Sequence, residues 1–422
     1  MAPPANAATS HDDDQCQPGQ AALAVRLLRR LGADSLSSGD GGGGNLVFSP
    51  LSIHAALALA AAGARGGTLD ELLAVLGAPS RDELARFVGD AVGRALADRS
   101  ASGGPRVAFA CAAWCDAARR LKPAYRDAVV ESYKATVSTA DFRNEPKEAM
   151  KKMNAWVAEA TRNLITKVAG RGAVRRDTVL VLANAVYFKG KWENPFDVAD
   201  TTDKKFYLLD GSYVMAPFMR SWDDRLIACH DGFKVLKLPY QDDDEEEDGV
   251  APRSPRFAMC FFLPSARGGI PALVDRIASD EGFLLRHLPT EHVAVGRFYV
   301  PKFTLSFSGS VARTLKKLGL RLPFDRRNAD LSDMVEEEEK VFVRDVIHKA
   351  VVEVREEGSE AAAVTVESYA DDTCTMEDPD DEPPRRKRVD FVADHPFAFF
   401  VVEETSRAVV FAGQVLDPTL ED

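Results

Sequence analysis

Side chains able to do chemistry are plentiful in this chain, but few stand at the spacings that catalysis needs. Seven histidines and 65 acidic residues are present, yet no nucleophile elbow, phosphate-binding loop or His-Glu-x-x-His pair occurs. Cys111 and Cys115 stand four apart with no second pair or histidine at zinc spacing, so buried free thiols are the plainer reading and no metal or other cofactor is expected. Residues 385–388 read RRKR, which fits a cut site for proteases that recognise paired basic residues, a nuclear-import patch or a solvated run. Upstream lies EEGSEAAAVTV (356–366), with Ser359, Ala361, Ala362 and Ala363 following Gly358. Loops are usually punctuated by Gly, Pro, Asn or Asp. A run of small residues instead suits a segment that must slip between neighbours already in place.

Several elements are needed to position this stretch. VIHKAVVEVRE (346–356) is rich in β-branched residues and reads as a strand running into it. TVLVLANAVYFKGKW (178–192) is a continuous apolar run, as expected of a strand buried on both faces. Asn184 lies inside it, and a buried amide without partners costs about 1–3 kcal/mol, so a polar cluster around it is expected. Helical spacing covers 19–32, ending at Gly32, and 148–168, with Met153, Trp156, Val157, Ala160 and Ile165 along one stripe. A short strand enters an apolar helix across 45–64, with Pro50 near its first turn. Thr68-x-x-Glu71 and Ser80-x-x-Glu83 fit the capping box. Later segments alternate strands and loops, with one further helix over 310–320. Strands outnumber what a bundle needs while helices gather in the N-terminal half, so the fold class is α+β. No linker divides the chain: a flexible tail (1–18) and one domain (19–420) are expected.

The net charge of −12 is local. Sixteen acids sit in 242–248, 336–339 and 377–382, and without them the rest is about +4, which reads as solvated loops. No aromatic-interleaved basic stripe supports a nucleic-acid partner. No run of eighteen apolar residues suggests a membrane span. The N-terminus lacks the basic and apolar regions of a secretory signal. An intracellular protein is expected, cytosolic first, with the nucleus and the exterior left open.

HKAVVEVREEGSEAAAVT (348–365) resembles the proximal hinge of the serpins, the plant members above all. NLVFSPLSIHAALAL, LANAVYFKGKWENPFD, VPKFTLSFS, LKKLGL and DHPFAFFV are similar to other blocks of that family and arrive in its order, so the resemblance spans about residues 20–418. It implies three β-sheets, eight or nine helices and an exposed reactive-centre loop, here about 356–390. It further implies a monomer whose partner is a target protease of serine or cysteine type. Cleavage would let the loop insert into the main sheet and drag the acyl-enzyme to the far pole, a release of stored free energy.

Residue roles follow from the same resemblance. The hinge would be Glu356, Glu357, Gly358, Ser359, Glu360, Ala361, Ala362 and Ala363. Ser49, Ser52, Asn184 and His348 would form the polar cluster where the sheet opens, with Trp192 capping its top. Counting seventeen from Glu356 places the reactive bond at Asp372–Thr373, with Asp371 and Arg388 as alternatives. Strand alternation puts Ser359, Ala361, Ala363 and Thr365 on one face, followed by Glu367, Tyr369 and Asp371. Two carboxylates bound for a buried face depart from the family's apolar pattern. Two functions therefore compete: a protease-trapping inhibitor, and a non-inhibitory storage, carrier or interaction protein.

Overall fold

The computed structural model describes residues 16–37, 44–170, 172–242, 255–336, 340–358 and 388–420. The helices are α1 (Cys16–Ser37), α2 (Pro50–Gly63), α3 (Gly66–Leu76), α4 (Arg81–Ala95), α5 (Pro123–Glu131), α6 (Pro146–Ala160), α7 (Ile270–Ala278), α8 (Phe283–Arg286) and α9 (Ala312–Lys317). The first eight strands are β1 (Leu46–Phe48), β2 (Arg106–Asp116), β3 (Thr136–Ala140), β4 (Leu180–Lys189), β5 (Thr202–Tyr207), β6 (Tyr213–Arg220), β7 (Arg225–His230) and β8 (Phe233–Pro239). The others are β9 (Phe257–Pro264), β10 (His292–Val293), β11 (Val295–Pro301), β12 (Phe303–Ser310), β13 (Val343–Val354), β14 (Val389–Val392), β15 (Phe397–Glu403) and β16 (Val409–Val415). Among the described residues this makes nine α-helices and three sheets, as expected of an α+β chain.

The five-stranded sheet runs in the order β12-β13-β4-β2-β3. β4 lies at its centre, parallel to β13 and antiparallel to β2. Leu180, Leu182, Val186 and Phe188 join the main core, which includes the apolar side chains of helix α2, buried almost throughout. Val181, Ala183, Ala185 and Tyr187 join a second core with Met153 and Val157 of α6. Cover on both faces explains why β4 reads as an unbroken apolar run. A seven-stranded sheet (β1-β16-β15-β9-β8-β7-β10) and a four-stranded sheet (β14-β11-β6-β5) complete the molecule.

Four sequence expectations need correction, the first being that α7 and α8 are helices where only strands, loops and one helix over 310–320 were expected. α1 runs five residues beyond Gly32 to Ser37. Gly32 is there for close packing, because a Cβ at this position would come within 3.0 Å of Gln414 Oε1. α3 begins at Gly66 with Arg65 as its N-cap, so Thr68 and Glu71 are not its capping box. They serve distant backbone instead: Thr68 Oγ1 accepts from Asp330 N at 3.0 Å, and Glu71 Oε2 accepts from Arg321 N and Leu322 N at 2.7 Å each. The Ser80 cap on α4 does form, accepting from Glu83 N at 3.2 Å. α6 stops at Ala160, since Arg162 and Asn163 adopt left-handed backbone and the Thr161 hydroxyl bonds Val157 O at 2.6 Å. Ile165 reaches the second core from beyond the helix.

Candidate functional site

The structure brings four of the expected residues together in the middle of the β4–β13 seam. Asn184 and His348 are register partners on the two parallel strands. Ser49 and Ser52 come from the start of α2, where Ser49 is the N-cap and its Oγ accepts from Ser52 N at 3.2 Å. Asn184 Oδ1 accepts from His348 Nδ1 at 2.6 Å and from Ser52 Oγ at 2.9 Å, and Asn184 Nδ2 donates to Ile347 O at 3.3 Å. His348 Nε2 accepts from Ser49 N at 3.0 Å. All four residues are fully buried. Nε2 must therefore be the bare nitrogen and Nδ1 the protonated one. Burial, with some help from the Lys349 charge, lowers the His348 pKa to about 3. Both ring nitrogens are engaged, so this His–Ser arrangement offers no open nucleophile and base. It is a polar latch between two strands.

A second cluster closes the top of the same seam. β13 ends in a tight turn in which Arg355 N donates to Gly358 O at 2.6 Å and Gly358 N to Arg355 O at 3.1 Å. This reverses the chain. Gly358 then bridges antiparallel both to Arg355, beyond the end of β13, and to Lys191, beyond the end of β4. It occupies the mouth of the gap between the two strands. The position requires glycine: φ is +126°, and a Cβ would strike the Gly190 carbonyl oxygen and lie 2.6 Å from Lys191 Cα.

The turn is pinned from several sides. Trp192 N donates to Glu357 O at 2.9 Å, Trp192 Nε1 to Arg355 O at 2.9 Å, and Phe196 N to Glu356 O at 2.8 Å. The Trp192 ring stacks on Tyr240 with centroids 4.4 Å apart. Glu356 is buried, and its Oε1 accepts from Lys302 Nζ and from Thr201 Oγ1, each at 2.9 Å. Burial alone would raise the Glu356 pKa, but the Lys302 ammonium and the Thr201 hydroxyl together hold it below the ordinary carboxylate value. Arg225 braces the β4 exit from below. It is buried, donates to Ser221 Oγ at 2.7 Å and to Asn194 O at 3.1 Å, and its guanidinium lies 5.1 Å from the Phe196 ring centroid.

Thr201, Tyr240, Lys302 and Arg225 were not legible as site residues in the sequence. One signal was available: a carboxylate placed straight after a buried strand demands a cation. Glu356, Glu357 and Gly358 are described, whereas Ser359, Glu360, Ala361, Ala362, Ala363, Asp371, Asp372 and Thr373 lie outside the described residues. Arg388 is exposed and directly precedes β14. Cys111 and Cys115 are both buried. Among the described residues no helix is long and apolar enough to cross a membrane.

The model of one family, Serpin (serine protease inhibitor), matches residues 18–418. The chain belongs to the serpin family. It is 48% identical to Serpin-Z2A of Oryza sativa subsp. japonica, covering 95% of this chain and 97% of that one. It is 41% identical to Serpin-ZX of Arabidopsis thaliana, covering 89% and 92%. The solved structure of Arabidopsis AtSerpin1, in its native stressed conformation, superposes with a TM-score of 0.84 at 35% identity, covering 98% of this serpin and all of that chain.

Proposed function

We propose that this serpin inhibits proteases as a suicide substrate. The protease nucleophile attacks the carbonyl of the reactive residue in the loop, expels the following residue as an amine and remains joined as an ester or thioester. The freed loop then enters the β4–β13 seam, drawing the enzyme to the far pole. The observation that carries this reading is Gly358, already antiparallel to the ends of both strands. The seam is the parallel pair β4–β13, and parallel pairing is slightly weaker than antiparallel. A strand entering there replaces one parallel pairing with two antiparallel ones.

Continuing the Gly358 register gives each inserted residue an address. Ser359 falls beside Gly190 and Val354, Ala361 beside Phe188 and Val352, and Ala363 beside Val186 and Ala350. Thr365 falls beside Asn184 and His348, where its hydroxyl can take up hydrogen bonds released as the latch parts. Tyr369 falls beside Leu180, the first residue of β4. A strand ending at Asp372 therefore just fills the sheet, which supports Asp372–Thr373 as the reactive bond. Sixteen further residues to Arg388 would add about 50 Å of slack tether.

A second reading rests on Glu367, whose address is between Leu182 and Val346, both fully buried. A carboxylate there opposes insertion, as it would in a serpin whose loop is cleaved without trapping. A denaturing gel of the protein mixed with an aspartate-specific protease, and separately with a paired-basic one, tests both. Inhibition yields a boiling-resistant band at the summed mass, with Thr373 starting the released peptide. A clipped chain with free protease in both mixtures overturns the inhibitory reading. A trapped complex releasing a peptide that starts at Val389 overturns the placement of the bond.

A further inference from the structure

The β4–β13 seam has a fastening at the end opposite Gly358 as well. β13 shifts register between Val343 and Asp345, so Arg344 is the extra residue of a bulge. Bulges re-aim side chains. Here the Arg344 guanidinium crosses the seam to the turn that leads into β4, where its Nη2 lies 3.8 Å from Asp177 Oδ2.

That turn is firmly built. Arg175 N donates to Thr178 Oγ1 at 2.9 Å, and Thr178 N donates to Arg175 O at 3.0 Å. Thr178 is buried, while Arg175, Arg176 and Asp177 are exposed. Neither Arg175 nor Arg176 forms an ion pair with a described residue. The next acid on β13, Asp345, is taken by Val346 N at 2.8 Å and by the Ser310 hydroxyl. Three arginines therefore gather around one available carboxylate, in a chain whose net charge is −12.

The occupant that would balance them follows from the register already given. With Tyr369 beside Leu180, Asp371 falls beside Thr178 and Asp372 beside Asp177. Two consecutive carboxylates of the loop thus arrive where the strands run out and the arginines begin. Asp372 against Asp177 is a like-charge apposition, which only a shared or exchanged cation relieves. The Arg344–Asp177 pair is partly exposed and long, so parting it costs little.

We propose that Arg175, Arg176 and Arg344 form a carboxylate-binding site at this end of the seam, and that its occupant is the Asp371–Asp372 pair of the inserted loop. Arg344 exchanges Asp177 for the incoming carboxylates, and Arg175 and Arg176 offset the charge that accumulates. The site turns Asp371 from an obstacle into an anchor for the last turn of insertion. Glu367, addressed between two fully buried apolar residues, gains nothing from it. This rests on the reading above that the loop enters the seam.

The test uses a synthetic peptide of residues 359–372, added to the uncut full chain, with uptake followed as a rise in melting temperature over time. Wild type is compared with a double reversal, Arg175→Glu with Arg176→Glu, and with Arg30→Glu at an exposed site on α1. Exposed charge pairs are weak singly, so reversing two cations is expected to slow uptake about tenfold. The difference should vanish near 1 M salt, where the screening length is about 3 Å. A peptide carrying Asp371→Lys and Asp372→Lys should show the opposite preference, entering the reversed chain faster than wild type. Arg30→Glu should take up both peptides as wild type does, and all the uncut chains should melt together. Equal uptake by wild-type and reversed chains overturns the proposal and leaves the suicide reading standing. So does a slowing that the lysine peptide fails to invert, or one that Arg30→Glu shares. Normal uptake with a smaller trapped fraction assigns the arginines to the surface of the captured protease and overturns it too. A wild-type chain that takes up neither peptide overturns insertion at the seam, and this site with it.

Discussion

Asn184 and His348 face each other in register on two parallel strands and share a 2.6 Å hydrogen bond at full burial. The bond spans the seam at which this serpin's sheet would open. Its strength sets how readily the strands part, so the side chains around it should control stability.

Replacing Asn184 with Ala leaves His348 Nδ1–H and Ser52 Oγ without their acceptor. The expected loss is about 1–3 kcal/mol, read as a lower denaturant midpoint with an unchanged m-value. A variant as stable as wild type would show that the latch is not a structural restraint.

Two buried imidazoles make stability depend on pH. Burial lowers the His348 pKa to about 3 and the His54 pKa to about 4, from 6.5. Between those values and 6.5 the unfolded chain takes up protons that the folded chain refuses, so stability falls as pH falls. The loss is about 2 kcal/mol per imidazole by pH 5. Urea melts from pH 7.5 to 5 should show this slope, and His348→Gln should remove about half of it. A flat profile would count against both assignments.

Gly358→Val places a side chain against the Gly190 carbonyl and demands φ of +126° from a β-branched residue. The turn should be expelled from the seam mouth. A lower melting temperature and a larger clipped fraction after protease attack are expected, and unchanged values for both would show that the Gly358 bridge is dispensable.

Glu367→Ala removes the carboxylate from its address between Leu182 and Val346. Under the inhibitory reading, the trapped fraction should rise and loop cleavage should increase the melting temperature by more than in wild type. Equal values in both measurements would mean that this carboxylate does not limit insertion.

How much could be read in advance depended on what each residue had to satisfy. A buried amide inside an apolar strand demands partners, so the cluster around Asn184 was visible from that residue alone, while Ser49, Ser52 and His348 came through family likeness. Glu356 stood in the hinge by the same likeness, but its partners Lys302 and Thr201 lie 54 and 155 residues away. Each looks like an ordinary strand-end residue until the sheets are assembled. Gly32 and Thr68 misled because local rules assign glycine to helix ends and threonine to caps. Here packing against Gln414 and a hydrogen bond from Asp330 N took precedence.

The partners in the central seam are 164 residues apart in the chain. At 5–20 residues per second, a ribosome needs about 8–33 s to make the intervening length. Throughout that interval β4 can pair with β2 on one side while its other edge, apolar on both faces, has no strand to meet. Such an edge is a template for wrong partners, including the β4 of a neighbouring nascent chain. The strand pair that would make this molecule a spring is therefore also its most exposed moment in synthesis. Chaperone demand in the cell should follow the arrival time of β13 more closely than the stability of the finished fold.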